Sequence, residues 1–234
     1  MHSGVRDHVA PSARERLMRI GIDLDDVTAV CAVPYLRRFA EEFGVELPDE
    51  SEIGWHLLSQ REDSGRRVTV PGLDRVTPEQ RDQFRIRLYD STFFGELEVY
   101  KDCPAVLERL VAAGHELYFI TARAERRRYI TETWLREKGI LDYAKAVHLK
   151  PMGDFRPDQP RGRYDASGSA DYKARLAKEL GLDAFCEDDE VIAQALAKAG
   201  IRVFLFDQPW NRDVPGDRIT RVSGWTDLAE KLGV

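Results

Sequence analysis

A chain of 234 residues, 43% hydrophobic and 32% charged, is long enough for one sizeable core carrying an inserted lobe, and its balance is that of a globular protein in water. No apolar run approaches the roughly 20 residues that a membrane span needs, and the first residues lack the apolar centre of a secretory signal. A formal charge of −6 argues against a nucleic-acid polymer as partner, while three cysteines at unrelated spacings, Cys31, Cys103 and Cys186, suggest neither a disulfide framework nor a zinc knuckle and fit a reducing, cytoplasmic setting.

Residues 1–17, with scattered charges, read as a flexible leader. Apolar or β-branched runs at 20–22, 117–120, 146–149, 184–186 and 203–206 read as strands. Patterns of helical period at 34–43, 104–114, 125–138, 170–180, 191–199 and 226–232 separate most of them. This alternation predicts an α/β fold with a Rossmann-like, doubly wound parallel sheet and helices on both faces. Gly44, Gly114, Gly139, Gly181 and Gly200 stand where helices should stop. Between Asp26 and Leu117 no strand is evident, and a second helical stretch at 78–94 opens on Thr77-Pro78-Glu79-Gln80, an N-cap, a helix-start proline and a capping-box glutamine. The expected organisation is a core of 18–29 and 99–234 with a small helical cap, 30–98, inserted after the first strand. Residues 151–168, rich in Pro, Gly and Asp, read as a long surface loop.

In an open parallel sheet, function collects beyond the carboxyl ends of the strands. Asp23, Asp25 and Asp26 follow the first strand, Thr121-Ala122-Arg123 follow the second, Lys173 is expected to begin a helix before the fourth, and Glu187-Asp188-Asp189 follow the fourth. If the first and fourth strands are neighbours, up to six carboxylates share one crevice. Such crowding calls for a hard divalent cation with oxygen ligands, magnesium above all. Magnesium beside a hydroxyl and a lysine suits phosphoryl chemistry. Asp23 can attack phosphorus, and Asp25 can protonate the leaving oxygen and then activate water.

The ordered set Asp23-Leu24-Asp25-Asp26-Val27, Ile120-Thr121-Ala122-Arg123, Lys173 and Glu187-Asp188 resembles the four motifs of the haloacid dehalogenase superfamily of phosphohydrolases. The insert after the first motif looks like a cap of the first type. The strings around Thr121 and Trp134, and Phe206-Asp207-Gln208-Pro209-Trp210-Asn211-Arg212, are similar to the 5′(3′)-deoxyribonucleotidase branch. This resemblance implies an aspartyl phosphate on Asp23, acid–base work by Asp25, and phosphate contacts from Thr121, Ala122 and Lys173. It implies Mg2+ held by Asp23, the backbone carbonyl of Asp25 and Asp188, with Glu187 reaching it through water and Asp189 as an alternative to Asp188. Asp26 and Val27 stand where many members carry Gly and Thr.

Each motif alone has a plain structural reading: Asp-x-Asp as a turn, Thr121 as a strand-end hydroxyl, Lys173 as a solvated helix residue, Glu187-Asp188-Asp189 as a helix start. The ordered combination favours chemistry. Trp55, Phe84, Tyr89, Phe93 and Phe94 read as the core of the insert, with stacking on a nucleobase as the alternative. His56, His115 and His148 show no metal spacing; His115 is placed on a helix-to-strand turn and Cys186 as a packed hydrophobe. Arg126-Arg127-Arg128 read as a solvated face, and Arg66, Arg67, Arg85 or Arg87 as a contact to the leaving group. The expected activity is magnesium-dependent hydrolysis of a small phosphorylated metabolite, with a nucleoside 5′-monophosphate favoured and a homodimer allowed. The competing readings are a phosphoacceptor signalling domain, which needs its aspartate after a later strand, and a catalytically idle binding protein, for which the Asp23–Asp25 pair has no use.

Overall fold

The computed structural model describes residues 17–58, 70–154, 166–212 and 214–234; the expected leader, except Leu17, and Arg66 and Arg67 lie outside them. In chain order, β1 (Arg19–Ile22) is followed by a two-residue strand β2 (Ala29–Val30), helices α1 (Ala32–Phe43), α2 (Pro78–Asp90) and α3 (Phe93–Glu96), and a second short strand β3 (Glu98–Val99). Then come α4 (Cys103–Ala112), β4 (Glu116–Ala124), α5 (Arg128–Glu137), β5 (Ala144–Lys150), α6 (Ala166–Glu179) and β6 (Ala184–Glu187). The chain ends with α7 (Glu190–Lys198), β7 (Arg202–Phe206), β8 (Ile219–Val222) and α8 (Trp225–Leu232).

Six strands form one parallel sheet in the order β5-β4-β1-β6-β7-β8. Side chains alternate across it. Ile20, Ile22, Leu117, Phe119, Phe204 and Phe206 face a core shared with α4, α5 and α8, whereas Ile120, Phe185, Val203 and Leu205 face α6 and α7. Burial on both faces is why β7 reads Val-Phe-Leu-Phe without polar interruption. The chain leaves β1 for β4 and β5 on one side and returns to β6, β7 and β8 on the other, so the strand order reverses beside β1.

The five helix-stop glycines all take positive φ, between 62° and 93°. At Gly44 this left-handed turn lets its N–H donate to the Ala40 carbonyl and closes α1. Four expectations need correction. β8 is a sixth strand, its Ile-Thr-Arg-Val run too short to stand out. The insert is closed by an antiparallel pair, β2 with β3, whose two-residue length carries no periodicity. The helix expected at 78–94 breaks after Asp90, where Ser91 donates to the Leu88 carbonyl and accepts from Phe93 N–H. Lys173 lies in the middle of α6 rather than at its start, because α6 is already helical at Ala166. Within 151–168, residues Met152–Asp154 form a 3-10 turn.

Gly21 sits in β1 between Tyr118 and Phe185. A Cβ there would come 2.5 Å from the Phe185 ring and 2.8 Å from Leu182. Overpacking of this kind costs about 1–3 kcal/mol. Gly21→Ala should therefore lower the urea midpoint, and adding Phe185→Leu should restore part of the loss. An unchanged midpoint in Gly21→Ala would contradict the packing of β1 on β6.

Candidate active site

Asp23 continues β1 by donating its N–H to the Cys186 carbonyl at 3.0 Å, which brings it level with the end of β6. There Lys173 reaches in from α6. Its Nζ lies 2.9 Å from Asp23 Oδ1 and 2.8 Å from Glu187 Oε2, with all three residues buried. Asp188 completes the group: one carboxylate oxygen from each of Asp23, Glu187 and Asp188 lies within 4.8 Å of the others. Asp189 turns away, its Oδ1 accepting from Val191 and Ile192 N–H as the N-cap of α7. Burial first, and then the neighbouring carboxylates, push the Asp23 and Asp188 carboxyls well above the ordinary range, against the pull of Lys173 on Asp23. Burial works against the Lys173 charge too, but Asp23 and Glu187 outweigh it and hold the ammonium protonated. Asp23 Oδ1 is buried and meets the Lys173 ammonium as an ion pair.

The loop after β1 is held almost atom by atom. Thr28 Oγ1 donates to the Asp23 carbonyl, Gln208 Nε2 to that of Asp26, Trp225 Nε1 to that of Val27, and Tyr100 N–H to that of Thr28. Among the described residues no donor reaches the Asp25 carbonyl. Asp26 has φ +59°, which explains why glycine suits this position. Its side chain is a fastener: Oδ1 accepts from Cys31 and Ala32 N–H at the start of α1, and Oδ2 accepts from Trp55 Nε1 at 2.7 Å. Burial pushes its carboxyl up to about 7, while those three donors pull the other way.

At the end of β4 the register slips between Thr121 and Ala124, a bulge of the kind that re-aims side chains beside active sites. Thr121 is buried, its Oγ1 accepting from Arg123 N–H, and Ala122 is half-buried between them. Arg123, fully buried, forks onto the Asp25 carboxylate with Nη2–Oδ1 at 2.6 Å and Nε–Oδ2 at 3.1 Å. Opposite β4, the loop after β7 braces the end of β6. Trp210 Nε1 donates to Asp188 Oδ2 at 3.0 Å, Asn211 Nδ2 to the Asp188 and Phe206 carbonyls, and Arg221 to Asn211 Oδ1. Reading the sequence placed Arg123, Gln208, Trp210 and Asn211 within motifs without giving them a role, and missed the second role of Asp26. The strand-end rule that located Glu187 applies equally after β7, and was the signal that could have found three of them.

The other residues named from the sequence have these partners. Phe84, Phe93 and Phe94 are buried and meet Tyr35, Tyr89 or each other edge-on, so they are core. Arg126, Arg127 and Arg128 pair with Asp90, Glu125 and Glu132. Arg87 pairs with Glu42 and Arg85 with the Tyr35 hydroxyl. His115 lies between α4 and β4 and Cys186 is fully buried, both as expected.

The family model of the 5′ nucleotidase, deoxy (pyrimidine), cytosolic type C protein matches residues 16–151, more than half of the chain. This chain belongs to that family. A candidate nucleotidase of Oceanobacillus iheyensis is 21% identical over 222 residues, covering 92% of this chain and 98% of the relative. Among solved structures, a haloacid dehalogenase-like hydrolase of Streptococcus pneumoniae superposes with a TM-score of 0.59 at 16% identity, covering 92% and 98% of the two chains. A haloacid dehalogenase-type hydrolase of Bacillus subtilis, solved bound to magnesium, gives 0.54 at 13% identity, covering 94% and 100%. The chain is thus a phosphatase or nucleotidase-type hydrolase on a haloacid dehalogenase fold. The family match ends before Lys173, Glu187 and Asp188, which the fold alone brings to Asp23. Among the described residues, no helix of this nucleotidase-family chain is long and apolar enough to cross a membrane.

The fastening by Asp26 has a measurable consequence. Asp26→Ala removes the acceptor of three N–H groups and keeps the Cβ that Asp26 already holds in the left-handed region, a loss of about 2–4 kcal/mol. Asp26→Gly removes the same acceptor but relieves that Cβ strain, and should cost roughly 1 kcal/mol less. Urea unfolding of the two variants checks this, and equal losses would show that the backbone of residue 26 is unstrained.

Proposed function

We propose that this chain hydrolyses a small phosphomonoester, a nucleoside 5′-monophosphate in first place, by way of an aspartyl phosphate on Asp23. The observation that carries this reading is the juxtaposition of Asp23, Lys173, Glu187 and Asp188 where the strand order reverses, with Asp25 two residues away at the crevice mouth. Asp23 Oδ attacks phosphorus as the bond to the leaving oxygen breaks, and the proton on Asp25 passes to that oxygen. Asp25 then takes a proton from water, whose oxygen displaces the Asp23 carboxylate and releases inorganic phosphate. Thr121 hydroxyl, the Ala122 backbone and the Lys173 ammonium receive the phosphoryl oxygens, and their placement lets their charge act where negative charge develops.

The residues fit a divalent cation. The carboxylates of Asp23, Asp25, Glu187 and Asp188 gather around two buried cations, Lys173 and Arg123, and the Asp25 carbonyl, which no described donor reaches, is a further oxygen ligand of the hard type. Magnesium would be held by Asp23, the Asp25 carbonyl and Asp188, with Glu187 behind them on Lys173 and on the N–H groups of Asp188 and Asp189. When bound, it supplies positive charge that offsets the phosphate and keeps the buried carboxylates ionised. Residues 30–98 act as a cap over the core of 18–29 and 99–234, and Arg85, which lies beside Tyr35, is assigned the contact to the leaving group. The partner is the small phosphorylated metabolite and not a nucleic-acid polymer or a membrane, in a cytoplasmic setting.

Phosphate release across nucleotides, sugar phosphates and cofactor phosphates tests this. Turnover should vanish in excess chelator and return with magnesium, and Asp188→Asn should raise the magnesium concentration for half-activity while leaving the thermal midpoint within a few degrees. Full activity in chelator would refute the metal, and preference for sugar phosphates over every nucleotide would refute the substrate class.

A further inference from the structure

We propose that Arg123 is a positioning residue that fixes the direction of the Asp25 carboxylate, an assignment that rests on the acid–base role given to Asp25 above. Asp25 is the partly open member of the site, its side chain 24% exposed, whereas the Arg123 side chain is wholly buried. The guanidinium fork takes both carboxylate oxygens, Nη2 to Oδ1 at 2.6 Å and Nε to Oδ2 at 3.1 Å, and so sets the plane of the carboxylate as well as its distance.

Arg123 is itself held on every side. Its guanidinium lies 4.3 Å from the Phe94 ring centroid and 5.6 Å from that of Trp134, and Nη1 stands 3.4 Å from Thr131 Oγ1. Trp134 is anchored in turn by Nε1 donating to the Leu97 carbonyl at 2.8 Å, at the foot of β3. Burying an arginine among aromatic rings costs several kcal/mol unless a partner is paired to it, and an apolar side chain would fill the same slot without that penalty. What the cation adds is a rigid hold on Asp25. The bulge in β4 between Thr121 and Ala124 places Arg123 two residues beyond the hydroxyl assigned to the phosphate, so one distortion serves both groups.

The test reads leaving-group dependence, which a merely structural role would not move. A nucleoside 5′-monophosphate needs its leaving oxygen protonated, whereas 4-nitrophenyl phosphate hardly does. Arg123→Met fills the apolar slot and removes the fork. It should lower kcat/KM on the nucleotide by about 10²-fold, the scale of a misplacement near 1 Å, and lower it far less on the aryl ester. In an Asp25→Asn background the same change should cost almost nothing further on either ester, and Arg123→Lys should recover part of the nucleotide activity. Should Arg123→Met fail to fold, the two esters and the Asp25→Asn background are read with Arg123→Lys. Equal losses on both esters, or losses that multiply with those of Asp25→Asn, would overturn the assignment. Turnover that survives Asp23→Asn would instead overturn the functional reading on which it rests.

Discussion

Lys173 stands between Asp23 and Glu187 at the seam of β1 and β6, and the rest of the site answers the charge imbalance around it. Two unit charges 4 Å apart interact by about 4 kcal/mol at an effective dielectric constant of 20, so several buried carboxylates repel one another by amounts comparable to a domain's whole stability. One ammonium cannot neutralise them. The sheet topology forces the gathering, because β1 and β6 are adjacent and parallel and the loops leaving their carboxyl ends carry Asp23 and Asp188. On the proposed chemistry, a divalent cation and a phosphoryl group brought to this point would use the repulsion instead of merely enduring it.

Holding such groups in place needs donors that are themselves immobile. All four tryptophans of the chain donate their indole N–H, three of them directly to the site loops: Trp55 to Asp26, Trp225 to the Val27 carbonyl and Trp210 to Asp188. The fourth, Trp134, packs on Arg123 and donates to the Leu97 carbonyl before β3. An indole brings a large apolar body that packs in the core and a single donor at its rim, so each one transmits the rigidity of the core to a loop. Asn211 and Arg221 do the same with polar networks from the edge strands.

Much of this was legible in the sequence, for identifiable reasons. The inner strands β1, β4, β6 and β7 are apolar runs because both faces are buried, and the helix-stop glycines announce left-handed turns, so the parallel α/β core could be read from periodicity. Asp23, Glu187 and Asp188 were found because strand ends collect function, whereas Lys173, expected at a helix start, lies in the middle of α6. What escaped depended on distance in the chain. Arg123 and Asp25 are 98 residues apart and Gln208 and Asp26 are 182 apart, and no local pattern encodes such pairs. Asp26 was counted among the carboxylates crowding the crevice, but its geometry makes it the cap of α1 and the anchor of Trp55, a role visible only once φ and the incoming donors are known. The choice between Asp188 and Asp189 was likewise beyond spacing: the first points to Asp23 and the second to the N-terminus of α7.

The most direct measurement is the mass of the peptide containing Asp23 after Asp25→Asn protein is quenched in acid during turnover of 4-nitrophenyl phosphate. Without a base to activate water the covalent intermediate should accumulate, so this peptide should carry one added phosphate that Asp23→Asn abolishes. An added phosphate on a peptide carrying Asp188 or Asp189, or rapid turnover by Asp23→Asn, would contradict nucleophilic catalysis at Asp23.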